Sequence, residues 1–170
     1  MKLAGGIKLT RIVFDGLIAS TGRMPVEAFL LTVRDFWWKG FELKEVIYLG
    51  LAGALGAICR YGLSGVTQRL TGAGFPYGTL VVNIIGCLVI GFVMQIGLTT
   101  DIIPRTLRLT ITVGFLGAFT TFSTFSYETV CFLQDGVWLE ASLNIAANLI
   151  FCIGATLTGM TLGRLVTGGA

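Results

Sequence analysis

The stretch GFLGAFTTFSTFSYE, residues 114–128, departs from the apolar pattern of the chain around it. Five of the seven residues from 120 to 126 are Ser or Thr. Glycines, β-branched residues and hydroxyl residues weaken a helix locally, so we predict that regular helical hydrogen bonding is abandoned within residues 114–126. In a bilayer, backbone freed in this way must be buried in protein or line a wet cavity. The stretch therefore indicates a functional element inside a membrane protein.

The composition of the whole chain is that of a protein embedded in lipid. Of its 170 residues, 54% are hydrophobic and only 12% are charged. A soluble domain of this size could not bury so much apolar surface, whereas lipid covers it in a multi-span protein. The net charge of +3 is too small to indicate nucleic acid as a partner. Histidine, the commonest proton shuttle and metal ligand, does not occur in the sequence.

Four apolar stretches are long enough to cross a bilayer, which takes about twenty residues each. Their approximate limits are 46–66, 79–98, 107–133 and 138–166. The breaker TGAGFPYG precedes the second stretch, TTDIIPR precedes the third, and QDG before the fourth is typical of a tight turn. Backbone hydrogen bonding makes each stretch helical in lipid. We therefore predict an all-α membrane protein with four transmembrane helices, the third broken mid-membrane.

The positive charges only weakly determine the orientation of these helices. Lys and Arg residues flank one side of the membrane at positions 39, 44, 105, 108 and 164, and Arg60 and Arg69 lie toward the other. Counting residues 1–43 favours cytoplasmic termini, and leaving them out makes the bias slight. A weakly biased protein can insert both ways up, which allows an antiparallel, dual-topology dimer.

Residues 1–43 differ in composition from the remainder, residues 44–170. In PVEAFLLTVRDFWWKGFELKE, large apolar side chains recur at helical spacing with charged residues between them. The apolar stripe is too interrupted to span a bilayer, so we predict an interfacial amphipathic helix. The alternative interpretations are a flexible leader and a mis-assigned start codon with Met24 as the true start.

Few residues inside the spans could carry chemistry. Glu128 is the single acidic residue well within a span, and Arg60 in the first span can reach an interface by its long side chain. There is no nucleophile–base pair, metal-ligand cluster or phosphate loop, so we do not expect an enzyme. The four cysteines, at positions 59, 87, 131 and 152, lie in apolar runs without CxxC spacing and are interpreted as packing residues.

The predicted spans also contain neutral polar residues. Thr79 and Asn83 are four apart on the second span, and Asn148, Cys152 and Thr156 form one stripe of the fourth. Such residues either hold helices together or line a polar pathway. Phe122 and Phe125 share a helix face, and their positive ring edges suit a small anion, although ordinary packing would explain them too.

Three segments, GAICRYGLS, PYGTLVVNIIG and GFLGAFTTFSTFSYE, resemble the Fluc (CrcB) family of fluoride channels in order and spacing. The resemblance covers about Lys44 to the end of the chain. It implies four-helix subunits that pair antiparallel, as identical or sister chains, into a dimer with two fluoride pores. It also implies a structural Na⁺ on the two-fold axis, bound by the main-chain carbonyls of Gly117 and Thr120.

The same resemblance assigns an ion pathway and a purpose. The pathway residues are Asn83, Phe122, Ser123, Thr124, Phe125, Asn148, Cys152 and Thr156, to which we add Thr79 and Glu128. Arg60 matches a structural arginine of the family. Ala118 and Cys152 depart from a frequent glycine and serine.

The implied function is passive export of fluoride across a bacterial plasma (inner) membrane. A small multidrug-type exporter, a channel for another anion and a non-conducting scaffold are the alternatives. The exporter would need a first-span carboxylate, which this sequence lacks.

Overall fold

The computed structural model describes residues 42–72 and 74–168. Within them four helical spans are long and apolar enough to cross a membrane. The spans are Leu43–Thr71, Tyr77–Thr99, Arg105–Gln134 and Trp138–Thr167. The described residues contain no β-strand. The prediction of an all-α, multi-pass membrane protein is confirmed, and the amphipathic helix predicted within residues 1–43 lies outside the described residues.

The first, second and fourth spans are each a single helix, and the third span consists of several helical segments. Helix α1 is Leu43–Thr71, α2 is Tyr77–Thr99, and the last helix, α6, is Trp138–Thr167. The third span begins with α3, Arg105–Leu109, and a π-helical turn, Thr110–Phe115. It continues with α4, Leu116–Phe119, and α5, Phe122–Gln134.

The helix of the third span is interrupted between α4 and α5. Thr120, at φ −83° and ψ 160°, and Thr121, at φ −151° and ψ 107°, are both extended. Helical structure resumes at Phe122, because the Thr121 side chain accepts a hydrogen bond from the backbone N–H of Thr124 and caps α5. The interruption is therefore narrower than the expected range 114–126, most of which is helical.

The connections between spans are short, and nearby hydrogen bonds and turns determine their conformation. Gln68, near the end of α1, donates to the Phe75 carbonyl at 2.9 Å and accepts from the Gly78 N–H at 3.2 Å. The side chain therefore joins the end of α1 to the start of α2. Between α5 and α6, Gly136 has a φ of 74°, which permits the tight turn predicted from QDG.

Helices α2 and α6 make the most extensive contact in the described part of the chain. Gly91 faces the carbonyl of Thr156, and Gly159 faces the carbonyl of Leu88. A side chain at either glycine would collide with the opposite backbone, so the two helices approach closely. Contacts advance in the same direction along both helices, so α2 and α6 run parallel.

The interruption is held against α2 by a small apolar core. Val82, Leu116 and Phe119 form this buried cluster, and the side chain of Thr120 lies directly against Gly86. On the other side, Gly56 of α1 lies against the backbone of the π-helical turn. The extended residues thus lie against α2, and the π-helical turn before them packs on α1. Elsewhere large apolar side chains are exposed along α1 and α6, as expected for surface that lipid covers.

Candidate functional site

A groove of roughly 340 Å³ opens beside the interruption. It is bounded by α2, by the third span and by α6. It brings together seven of the residues predicted from the sequence, which are Asn83, Gly117, Thr120, Phe122, Phe125, Asn148 and Cys152. The other lining residues include Gly86, Cys87, Ile90 and Thr121.

The side chain of Asn83 is bonded to the interrupted backbone. Its Oδ1 accepts the backbone N–H of Thr121 at 2.8 Å, and its Nδ2 donates to the Thr121 carbonyl at 3.3 Å. Asn83 is only 9% exposed, so water does not substitute for these bonds. Because one buried amide satisfies both polar groups of an extended residue, the interruption is tolerated inside the bundle.

This arrangement redirects the helical donors of at least two carbonyl oxygens. In a continuous helix the N–H of Thr121 would donate to the Gly117 carbonyl, and that of Thr124 to the Thr120 carbonyl. Instead, Thr121 donates to Asn83, and Thr124 donates to the Thr121 hydroxyl at 3.2 Å. Gly117 and Thr120 both line the groove, and Gly117 is exposed on the single chain. Carbonyl oxygens without their helical donors are suitable ligands for a hard cation such as Na⁺.

A chain of side-chain hydrogen bonds continues from Asn83 across two more helices. Asn83 Nδ2 donates to Asn148 Oδ1 at 3.1 Å, Asn148 Nδ2 to Asn144 Oδ1 at 3.0 Å, and Asn144 Nδ2 to Thr129 Oγ1 at 2.9 Å. The Thr129 hydroxyl then donates to the Phe125 carbonyl at 2.8 Å. We call these bonded side chains, residues 83, 148, 144 and 129, the amide relay.

Backbone groups at both ends fix the direction of the amide relay. The Thr121 N–H can only donate, so Asn83 must present its oxygen there. The Phe125 carbonyl can only accept, so the Thr129 hydroxyl donates to it and accepts from Asn144. Each intervening amide is therefore held in one of its two orientations. Both nitrogen-bound hydrogens of Asn83 have protein acceptors, and the contact to Thr121 is the longer of the two.

Two members of the relay were missed in the sequence. Asn144 is fully buried, at 0% exposed, and Thr129 is 7% exposed. Asn144 lies four residues before Asn148, so extending the polar stripe of the fourth span by one turn would have found it. Thr129 gives no comparable sequence signal, because its role depends on contact with α6.

The two phenylalanines differ in their surroundings. Their ring centroids are 5.4 Å apart and the rings are tilted by 57°. Phe125 is 9% exposed, whereas Phe122 is 76% exposed. Phe125 is thus fixed within the chain, and Phe122 presents most of its ring outside it.

The hydroxyls that follow the interruption form a separate cluster. Thr121 Oγ1 donates to Thr124 Oγ1 at 2.8 Å and lies 3.3 Å from Ser123 Oγ. Ser123 and Thr124 are exposed on the single chain. They place hydroxyl groups beside Phe122, at the start of α5.

The remaining predicted residues lie away from the groove. Thr79 does not contact Asn83, since its hydroxyl donates to Glu128 Oε1 at 2.7 Å. The other oxygen, Glu128 Oε2, is buried and has no hydrogen-bond partner among the described residues. Thr156 donates to the Cys152 carbonyl at 3.0 Å, one turn beyond the groove. Arg60 lies on α1, which does not contribute to the lining.

Comparison with known proteins places these features in a family. The profile described as "CrcB-like protein, Camphor Resistance (CrcB)" matches residues 47–160. A protein of Geobacter sp. (strain M21), named "Fluoride-specific ion channel FluC", is 47% identical over 122 residues, which are 72% of this chain and 98% of that protein. A protein of Dehalococcoides mccartyi (strain CBDB1) with the same name is 48% identical over 124 residues, 73% of this chain and 95% of that protein.

Proposed function

The chain belongs to the CrcB family, and from this membership and the geometry of the groove we propose that it is a fluoride-selective channel. The relatives that it matches over nearly their whole length are named fluoride-specific ion channels, and the family is not one of enzymes. The observation that carries the proposal is the interruption at Thr120 and Thr121, held by the buried amide of Asn83 in a groove with two phenylalanines. Transport is passive, and its direction follows the fluoride gradient.

Fluoride holds its water strongly, so the pathway must replace that water with hydrogen-bond donors. Asn83, Ser123 and Thr124 supply amide and hydroxyl donors near the interruption, and the edges of Phe122 and Phe125 supply weakly positive hydrogens. A fluoride ion that accepts from Asn83 Nδ2 replaces the longer contact, 3.3 Å, to the Thr121 carbonyl. The amide relay meanwhile keeps the nitrogen of Asn83 in place. A neutral lining of this kind binds an anion without trapping it, as a lysine would.

Further along α6, Asn148, Cys152 and Thr156 continue the polar stripe. Thr79 and Glu128 form a hydrogen-bonded pair at another part of the bundle, 2.7 Å apart, and we assign them to an end of the pathway. Arg60 has a structural role on α1. Selectivity against chloride follows from closely spaced donors in a narrow bore, because a larger anion cannot contact all of them.

We assign a structural Na⁺ to the carbonyls of Gly117 and Thr120. The support is that both N–H groups that would bond them in a helix are bonded elsewhere. Two carbonyls are too few for a Na⁺ site, and the same two from a second chain would complete it. The bound charge favours anions nearby.

The exposure of the site also supports a second chain. Phe122 is 76% exposed, and Gly117, Ser123 and Thr124 are exposed as well, although all are assigned to ion binding. We propose an antiparallel dimer of identical chains in the bacterial plasma membrane, in which a partner covers these groups. Residues 44–170 form the channel domain with its third helix broken mid-membrane, and residues 1–43 are an extension that contacts lipid.

The direct test is fluoride efflux from liposomes that contain the purified protein. Vesicles loaded with potassium fluoride are diluted into fluoride-free buffer, valinomycin is added to compensate charge, and a fluoride electrode records release. We expect rapid release of fluoride and retention of chloride from matched chloride-loaded vesicles. Release no faster than from protein-free vesicles, or equal release of chloride, would exclude a fluoride-selective channel.

A further inference from the structure

The contact between α2 and α6 repeats in a fixed register. Asn83 of α2 bonds Asn148 of α6 at 3.1 Å. Eight residues further along each helix, Gly91 lies against the carbonyl of Thr156. Since the helices are parallel and each step is two turns, residues midway between these contacts must also face each other.

The residues at the midpoint are cysteines. Cys87 is four residues after Asn83, and Cys152 is four residues after Asn148. Both are free thiols, half-buried, and both line the groove. The register of the contact places their side chains opposite each other. Two sulfur atoms on different helices therefore meet one turn from the amide of Asn83.

Two facing thiols can bind a metal ion, and their sulfur atoms determine which metals they prefer. Thiolate sulfur selects soft cations over hard ones. The described residues hold no group of three or more His, Cys, Asp or Glu, so a four-coordinate Zn²⁺ site is not available at this pair. Ions that accept two sulfurs in line, such as Hg²⁺, Ag⁺ and Cu⁺, need no further protein ligand.

We propose that Cys87 and Cys152 form a two-thiol site for a soft cation, and that occupation of this site blocks the pathway. Two S–H bonds break, two sulfur–metal bonds form, and two protons leave to solvent, without any change of oxidation state. The block rests on the proposed fluoride channel, whereas the metal binding does not. A metal bound by the two thiolates occupies the groove beside Asn83 and obstructs the passage of an ion there.

The other two cysteines provide internal controls. Cys59 of α1 packs against the core cluster of Val82, Leu116 and Phe119. Cys131 lies on α5. Neither belongs to the groove lining, so neither shares the groove with the Cys87–Cys152 pair.

The test combines two measurements on the full-length reconstituted protein. Fluoride efflux is recorded after exposure to mercuric acetate and again after dithiothreitol, with each variant compared with its own untreated rate. Separately, the protein is alkylated with a maleimide with and without Hg²⁺, and peptide mass spectrometry identifies the protected cysteines. The variants are Cys87→Ser and Cys152→Ser, with Cys59→Ser and Cys131→Ser as matched controls.

We expect Hg²⁺ to block the wild-type protein reversibly and to protect Cys87 and Cys152 from alkylation. Cys87→Ser and Cys152→Ser each leave only one sulfur at the site. The Hg²⁺ concentration that halves fluoride efflux should therefore rise by roughly a hundredfold or more. The two controls should match the wild type. Zn²⁺ at the same concentration should block none of the proteins.

Two results would overturn the proposal. One is unchanged Hg²⁺ sensitivity in both Cys87→Ser and Cys152→Ser, and the other is alkylation of Cys87 and Cys152 at the same rate with and without Hg²⁺. If the untreated wild type fails to conduct fluoride, the proposed function fails instead. The alkylation result still decides whether the metal site exists.

Discussion

Asn83 Oδ1 accepts a 2.8 Å hydrogen bond from the backbone N–H of Thr121, which lies 38 residues further along the chain. This bond takes the donor that a continuous helix would give to Gly117. One side chain of α2 thereby stabilises the interrupted backbone of the third span and leaves a carbonyl available for a cation. The proposed pathway amide and the proposed Na⁺ site therefore depend on the same hydrogen bond.

The amide relay predicts that Thr129 influences conduction without facing the groove. Thr129→Val keeps the side-chain shape but removes the acceptor for Asn144, so the amides of Asn148 and Asn83 lose their fixed orientation. Loss of one such bond should lower fluoride efflux by roughly tenfold. Thr129→Ser retains the hydroxyl and should conduct within about twofold of the wild type, since the bond remains.

Thr158→Val is the matched control for this experiment. The Thr158 hydroxyl bonds the carbonyl four residues earlier at 2.8 Å, as the Thr129 hydroxyl does, but Thr158 is exposed and outside the relay. Its efflux should equal that of the wild type. Equal efflux from Thr129→Val and Thr158→Val would show that the relay does not orient Asn83.

Substitution of each phenylalanine should have distinguishable effects on fluoride conduction and on protein stability. Phe122→Ile and Phe125→Ile each remove a ring edge from the pathway, so both should strongly reduce fluoride efflux. Phe125 is buried within the single chain, so Phe125→Ile should also lower the free energy of unfolding, by roughly 1 to 3 kcal/mol. Efflux is measured in liposomes and stability by thermal unfolding in detergent. Normal efflux from both variants would mean that the rings serve packing alone.

Removal of sodium should weaken the assembly. If the carbonyls of Gly117 and Thr120 bind Na⁺ between two chains, replacement of all Na⁺ by N-methylglucamine should lower both fluoride efflux and the melting temperature of the purified protein. Adding Na⁺ back should restore both, whereas Li⁺ of equal ionic strength should not. Identical melting temperatures in the two buffers would contradict a Na⁺ site.

Residues 1–43 should be dispensable for conduction. All the groove residues lie in the part of the chain that the structure describes, between Asn83 and Ile153. Protein lacking residues 1–43 should therefore release fluoride from liposomes at the wild-type rate per protein. A truncated protein that reconstitutes normally but does not conduct would assign the extension a direct role.

The sequence predicts much of this arrangement because its motifs are local. Hydropathy predicts the four spans. The predicted first span ends at residue 66, whereas α1 continues to Thr71, because the last turn of α1 is polar and hydropathy does not detect it. The motif GFLGAFTTFSTFSYE locates the interruption but not its short length, which depends on the Thr121 cap. Asn144 could have been found by extending the polar stripe of the fourth span by one turn, whereas Thr129 is identified only by its hydrogen bond with Asn144 on another helix.

The most direct test of the account is fluoride efflux from liposomes containing Asn83→Asp beside the wild type. An ionised aspartate still accepts the Thr121 N–H, but it cannot donate to Thr121, Asn148 or an anion. We predict wild-type chromatographic behaviour in detergent and a fluoride efflux reduced at least roughly tenfold. Efflux from Asn83→Asp at the wild-type rate would contradict the central claim that this amide binds the passing fluoride.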